Sequence, residues 1–174
     1  MNEVYKNNAG LELEILVQNG KQCLVKFVLS GSVRQANIDN IRTGKVKDLY
    51  FPSYYNIAYQ GEFKKVYYWK QANQLWRNMI KRCYSDVDPR GYKKHGTTVD
   101  SRWLCFANFL EDLPKLKGFD LWLKGGMNLD KDLGPFGCNV YSKFNCQFVE
   151  ESVNKSAGKA GKRLVNGEWI TPTR

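Results

Sequence analysis

Between Tyr68 and Tyr84 the apolar residues Ala72, Leu75, Trp76, Met79, Ile80 and Cys83 recur at the i, i+3, i+4, i+7 spacing of one helix face. A strand would scatter this set over both its faces, so the segment predicts a helix with a buried stripe. The chain before it follows a different period. Leu11, Leu13, Ile15 and Val17 alternate with Glu12, Glu14 and Leu16, the pattern of a half-buried strand. Asn19-Gly20 signals a hairpin turn, a second strand follows at 22–29, and a third runs over 33–38 after Ser30-Gly31-Ser32. Residues 40–48 read as a short turn or helix ended by Gly44, then one more short strand. A period of two followed by a period of 3.6 predicts an α+β fold that opens on a small β-sheet of SH3-like size over residues 1–60. Such a sheet is marginally stable alone, so it is expected to pack on the helical region C-terminal to it.

Residues 50–68 form the expected joint. Tyr50, Phe51, Tyr54, Tyr55, Tyr59, Phe63, Tyr67 and Tyr68 are interleaved there with Lys64 and Lys65. Such residues either fill a seam or stack on nucleotides, and the seam is the favoured reading. After the first helix, 86–96 is a polar loop holding His95, the one histidine of the chain. Asp100 or Ser101 then caps a second helix that buries Trp103, Leu104, Phe106, Phe109, Leu110 and Leu113 and ends at Pro114.

The 27 Lys and Arg against 17 Asp and Glu give a net charge of +10. A surplus of this size attracts polyanions, nucleic acid foremost, because each neutralised phosphate releases counterions. No stretch approaches the ~20 apolar residues of a membrane span. The first residues lack the pattern of a signal peptide, so the chain is expected to stay in the cytoplasm where it is made. An odd set of cysteines (Cys23, Cys83, Cys105, Cys138, Cys146) with no CxxC pair fits reduced, buried thiols. A structural zinc built on Cys138, Cys146 and Cys83 or Cys105 is the less favoured alternative.

The chemistry is concentrated in 128–154. Leu129-Asp130-Lys131-Asp132 is followed by a Gly134-Pro135-Phe136-Gly137 turn, then Asn139-Val140-Tyr141, Asn145-Cys146-Gln147-Phe148-Val149 and Glu150-Glu151-Ser152-Val153-Asn154. It reads as a strand, a loop, a second short strand, and a helix starting near Glu150. This layout resembles the HNH, or ββα-metal (His-Me finger), nucleases, phage-borne ones in particular. The resemblance matches Asp130 to their metal-binding aspartate and Asn145 to the asparagine that braces the loop. Asn154, nine residues on, matches the helix ligand. Upstream, Leu75–Tyr84, Ser101-Arg102-Trp103, Phe106 and Asn108-Phe109 resemble segments that precede such fingers. The similarity covers about 67–156, within an expected HNH-like domain of 61–156. It implies duplex DNA as partner and Mg²⁺ or another divalent cation held by Asp130 and Asn154.

One position departs from the family. Its general base is a histidine directly after the aspartate, and here that residue is Lys131. Imidazole takes a proton from water near neutral pH. An ordinary lysine, titrating near ~10.4, does not, and is better suited to neutralise phosphate. Three readings stay open: a finger that cuts with water activated elsewhere, His95 being the available histidine; a finger that binds DNA or a host protein without cutting; and a coincidental turn. The expected phosphate contacts are Arg77, Lys81, Arg82, Arg102, Lys131, Lys159, Lys162 and Arg163, with helix-end packing an alternative role for Arg82 and Arg102. Residues 157–174 form a basic tail that is either an arm or a solvated linker, with a hairpin signalled by Asn166-Gly167.

Overall fold

The computed structural model describes residues 3–87, 92–132, 139–150 and 152, and the backbone of 163–165 and 168–170. The chain divides into two compact units, Met1–Pro52 and Ser53–Arg174. Strands and helices occur in both, so the α+β class holds.

In the first unit β1 (Val4–Lys6), β2 (Glu12–Asn19), β3 (Gln22–Phe27) and β4 (Val33–Asn37) form an antiparallel sheet in sequence order. Asn19 pairs with Gln22, which places Gly20 and Lys21 at the tip, and Gly20 adopts the positive φ of 57° that such a turn demands. A bulge between Ile15 and Val17 interrupts the alternation. Leu13 is therefore buried while Val17 is 60% exposed, because one extra residue inverts which side chains face the core. Helix α1 (Ile38–Arg42) follows, with the Asn37 side chain accepting the Asp39 N–H at its start and Gly44 at φ 66° beyond its end. The strand expected after Gly44 does not form. The Asn8 N–H donates to Gly44 O and the Asn7 side-chain amide to Val46 O, which tie the segment down without a ladder. β1, not anticipated, completes the sheet. Leu13, Cys23, Val25, Phe27, Ile38, Ile41 and Val46 make the core of this unit.

The second unit is built around α2 (Trp69–Tyr84), which matches the predicted helix. It buries Ala72, Trp76, Met79, Ile80 and Cys83. Each large side chain taken from water contributes roughly 1.5–3 kcal/mol, and the stripe packs into a core shared with Trp103, Phe106, Phe109 and Leu113. The Trp76 indole donates to Trp103 O at 2.7 Å. The second predicted helix is broken into pieces. Asp100 caps a 3-10 turn, Ser101–Leu104, then α3 (Phe106–Asp112) follows and runs into another 3-10 turn, Leu113–Lys115. The break at Cys105 arises because Tyr59 N–H takes Leu104 O and Phe106 N–H takes Tyr59 O, an isolated bridge that a continuous helix would not permit. Tyr54, Tyr59 and Phe63 thus belong to the second unit, where Tyr54 meets Trp76 edge-on and Phe63 meets Phe106.

Helix α4 (Phe119–Lys124), not anticipated, leads into β6 (Met127–Asp130), which is antiparallel to β8 (Gln147–Glu150), while β5 (Thr98–Val99), ahead of α3, pairs in parallel with β7 (Val140–Tyr141). β9 (Arg163–Val165) and β10 (Glu168–Ile170) form the hairpin expected around Asn166-Gly167. A helix is expected to start near Glu150, but Glu150 is the last residue of β8; of the segment beyond it only Ser152, in helical conformation, is described before residue 163. Among the described residues no helix is long and apolar enough to cross a membrane.

Candidate functional site

Of the residues flagged by the finger-like motif, Asp130, Lys131 and Asn145 lie at one end of the β6–β8 hairpin. The register pairs Asp130 with Gln147, so Asp130 closes β6 as expected, and Asn145 stands two residues ahead of β8. Both are buried. Asp130 Oδ1 accepts the Asp132 N–H at 2.9 Å, which folds the chain back directly after the strand. The Asn145 amide donates to Val140 O at 3.1 Å, while the N–H groups of Asn145 and Cys146 reach Ser142 O. Asn145 therefore braces 140–146. Burial pushes the neighbouring Cys146 thiol up to about 12, opposed by a backbone hydrogen bond at Ser142 and reinforced by the negative charge of Asp130.

Lys131 is turned inward. Only 4% of it is exposed. Its ammonium bonds the Asp132 carboxylate and lies 5.8 Å from the centre of the Tyr92 ring and 6.0 Å from that of Tyr141. At these distances a cation gains from the negative faces of aromatic rings. Lys131, expected at phosphate, is placed inward, with its charge answered by Asp132 and two rings. Burial first, and the nearby Tyr92, raise the pKa of Tyr141, while the positive charge of Arg82 opposes the rise. Arg82 thus stands against the same cluster. Its Nε is buried without a hydrogen-bond partner among the described residues.

Arg102 is also committed to the protein. It donates through Nε to Asp112 Oδ2 at 2.8 Å and through a terminal nitrogen to Glu111 Oε2 at 2.8 Å. Asp112 is fully buried and also receives the Trp103 indole N–H and the Lys115 ammonium. Burial alone would raise the Asp112 pKa. The donors Arg102, Trp103 and Lys115 outweigh that penalty and hold it below the ordinary carboxylate value. Of the two roles expected for Arg102, these bonds display the packing one. His95 is exposed in the turn after Tyr92, and its carbonyl accepts from the Asn139 amide at 3.2 Å. Asn154, Lys159 and Lys162 lie outside the described residues, as do the side chain of Arg163 and Cys138, through which the zinc combination was drawn. Cys23, Cys83, Cys105 and Cys146 are buried thiols.

Among the described residues no three His, Cys, Asp or Glu side chains gather as a metal site. Asp130 offers one carboxylate, and its expected companion Asn154 is not described. One oxygen donor does not define a site for Mg²⁺, which wants near-octahedral oxygen ligation.

Arg77 and Lys81 differ from the other three cations: both are exposed on α2. The 16-residue helix contains no Asp or Glu. Its solvent face carries Lys70, Gln74, Arg77 and Lys81 in one stripe at i, i+4, i+7, i+11, with Gln71 and Asn78 beside it, all exposed. The Arg77 guanidinium lies 5.1 Å over the Tyr54 ring, which orients it. Gln74 Nε2 donates to Asn78 Oδ1 at 2.9 Å. Sequence reasoning singled out Arg77 and Lys81, and named Tyr55 among the aromatics that either fill a seam or stack on nucleotides, but gave no binding role to Gln74 or Asn78. The signal that could have found them is the lack of a carboxylate over the whole helix. Residues 53–174 hold 20 Lys and Arg against 12 Asp and Glu, so eight of the ten net positive charges fall in this unit. Compared with family models, curated proteins and solved structures, the chain matches none.

Proposed function

We propose that this chain is a nucleic-acid-binding protein of HNH-like architecture that holds duplex DNA without cutting it, inside the cell where it is made. The single observation carrying this reading is the solvent face of α2, where Lys70, Gln74, Arg77 and Lys81 follow one another with no acidic residue among them. Lysine and arginine suit phosphates, and glutamine, asparagine and arginine suit base edges. A helix of this width enters a major groove. In this reading the β6–β8 hairpin is the ββα-metal finger, and the first unit's sheet is its SH3-like companion. The hairpin supports that role by putting Asp130 at the close of one strand and Asn145 just ahead of the next.

The non-cutting half of the proposal follows from Lys131. The position at which the resembled nucleases keep a water-activating histidine is filled by a buried ammonium paired with Asp132. A cation with no lone pair takes no proton from water. Two measurements test the proposal together. Duplex affinity is titrated against salt, and plasmid is incubated with Mg²⁺ or Mn²⁺ beside an Asp130→Ala variant. The expected outcome is steep salt dependence with intact plasmid. Nicking that disappears in Asp130→Ala would replace this reading with an active nuclease. Absence of duplex affinity at low salt would favour a protein-directed regulator of a host enzyme.

A further inference from the structure

We infer that the pocket lined by Tyr54, Tyr55, Gln74, Arg77, Asn78 and Lys81 seats one unpaired nucleotide, its base on Tyr55 and its phosphate on Arg77 and Lys81. The inference rests on the nucleic-acid reading and deepens it, since α2 contributes one wall of the pocket. The cavity measures about 400 Å³, within the range of small-ligand sites. Its lining has two cations, two amides, two tyrosines, one isoleucine and no carboxylate, so an anionic ligand is matched and a cationic one is repelled.

The two tyrosines are held differently. Tyr54 is half-buried, edge-on to Trp76 at 5.1 Å, and serves as the support on which Arg77 lies. Tyr55 is 46% exposed. It sits at φ 52° with Asn56 at φ 56°, a pair of left-handed residues inside the turn that Tyr54 and Ala58 close with reciprocal N–H to O bonds of 2.9 and 3.0 Å. Asparagine tolerates this region, but a bulky residue there is an outlier. The turn thus withholds Tyr55 from the core its neighbour joins and keeps its ring at the pocket rim. A base inside a duplex has both faces covered by its neighbours, so only an unstacked base can offer one to this ring. The amides complete the fit. With Gln74 already donating to Asn78 Oδ1, the pair retains an acceptor on Gln74 and donors on Asn78 for a base edge.

The test uses the full chain and two short labelled DNAs of the same sequence: a perfect duplex, and a duplex with one bulged 2-aminopurine. The expected result is about tenfold tighter binding of the bulged DNA, the size of one aromatic–base stack, with quenching of the 2-aminopurine fluorescence. Tyr55→Ala loses both the preference and the quenching while keeping the duplex affinity and its salt slope. Tyr55→Phe keeps everything. Melting by circular dichroism certifies that each variant is folded, as expected for a side chain outside the core. A Tyr55→Ala protein that still prefers and quenches the bulge overturns the pocket and leaves the duplex reading standing. If the wild-type chain binds neither DNA at low salt, the duplex reading falls and the pocket with it.

Discussion

Replacing Lys131 with methionine separates an internal cation from a phosphate-binding one. If Lys131 met a phosphate, its loss would flatten the plot of log affinity against log salt by about 0.9, because one fewer counterion would be released. The burial of Lys131 and its bond to Asp132 predict no change in that slope. Arg77→Ala with Lys81→Ala supplies the contrast. Removing two exposed cations lowers the slope by about 1.8, so the fall in affinity between roughly 50 and 200 mM salt shrinks by about 12-fold relative to wild type. The price of Lys131→Met appears in stability. Two ring contacts near the outer limit of a cation–π interaction contribute about 0.5 kcal/mol each. The pair with half-exposed Asp132 adds at most about 1 kcal/mol, and methionine recovers some of this by ending the desolvation of a charge. A net loss of about 1 kcal/mol lowers the melting temperature by about 2–4 °C. Fluorescence anisotropy over a salt series and a thermal melt measure both quantities. A slope reduced by about 0.9 with an unchanged melt would refute the internal assignment and return Lys131 to the DNA-facing set.

Asp112→Asn should cost about 3 kcal/mol in urea unfolding, since it removes the charge that Arg102 and Lys115 face; a loss under about 1 kcal/mol would mean the cluster is not cooperative. Because the folded pKa of Asp112 is depressed, its contribution is complete above the ordinary carboxylate value of ~3.9 and disappears as pH falls from there through its own lower pKa. The wild-type advantage over Asp112→Asn should narrow across that acidic window and nowhere above it. Gly118→Ala should destabilise by about 2 kcal/mol or more, because φ is 83° and a new Cβ would stand 2.7 Å from Phe148 O; an unchanged melt would show that α4 and β8 are not seated against each other. Cys146, its thiol raised to about 12, should resist alkylation at pH 8 until denaturant is added. Rapid labelling of Cys146 in the native protein, located by mass mapping, would contradict its burial.

Legibility in the sequence followed the range of the interaction that decides each element. α2 was readable because six apolar residues declare one face without reference to anything distant. The β2–β3 turn was readable because Gly20 supplies the needed φ locally. The break at Cys105 was not, because it depends on Tyr59, a residue 46 positions earlier that inserts its backbone. α4 was missed because Phe119–Lys124 spans barely more than one turn, too few residues for a period to emerge. The hairpin ends of Asp130 and Asn145 followed from their motif spacing. The inward turn of Lys131 did not, since it depends on Tyr92 and Tyr141 arriving from other parts of the chain. For Arg102 the sequence left phosphate contact and helix-end packing both open, because the Asp112 carboxylate beneath it is set by the fold.

The pairing of β7 has a consequence for how this fold can be taken apart. β7 lies between β6 and β8 in sequence but bonds neither; it runs in parallel with β5, some 40 residues upstream. On the other side, Phe148 N–H reaches back to Lys117 O and the Phe148 ring stacks on Trp122. Two stitches from outside therefore hold the segment that carries Asp130 and Asn145. A fragment cut at Gly126 would lose both and expose the Phe148 ring to water. The hairpin is therefore not a self-contained cassette: moving it intact means moving β5 and the Lys117–Trp122 segment with it.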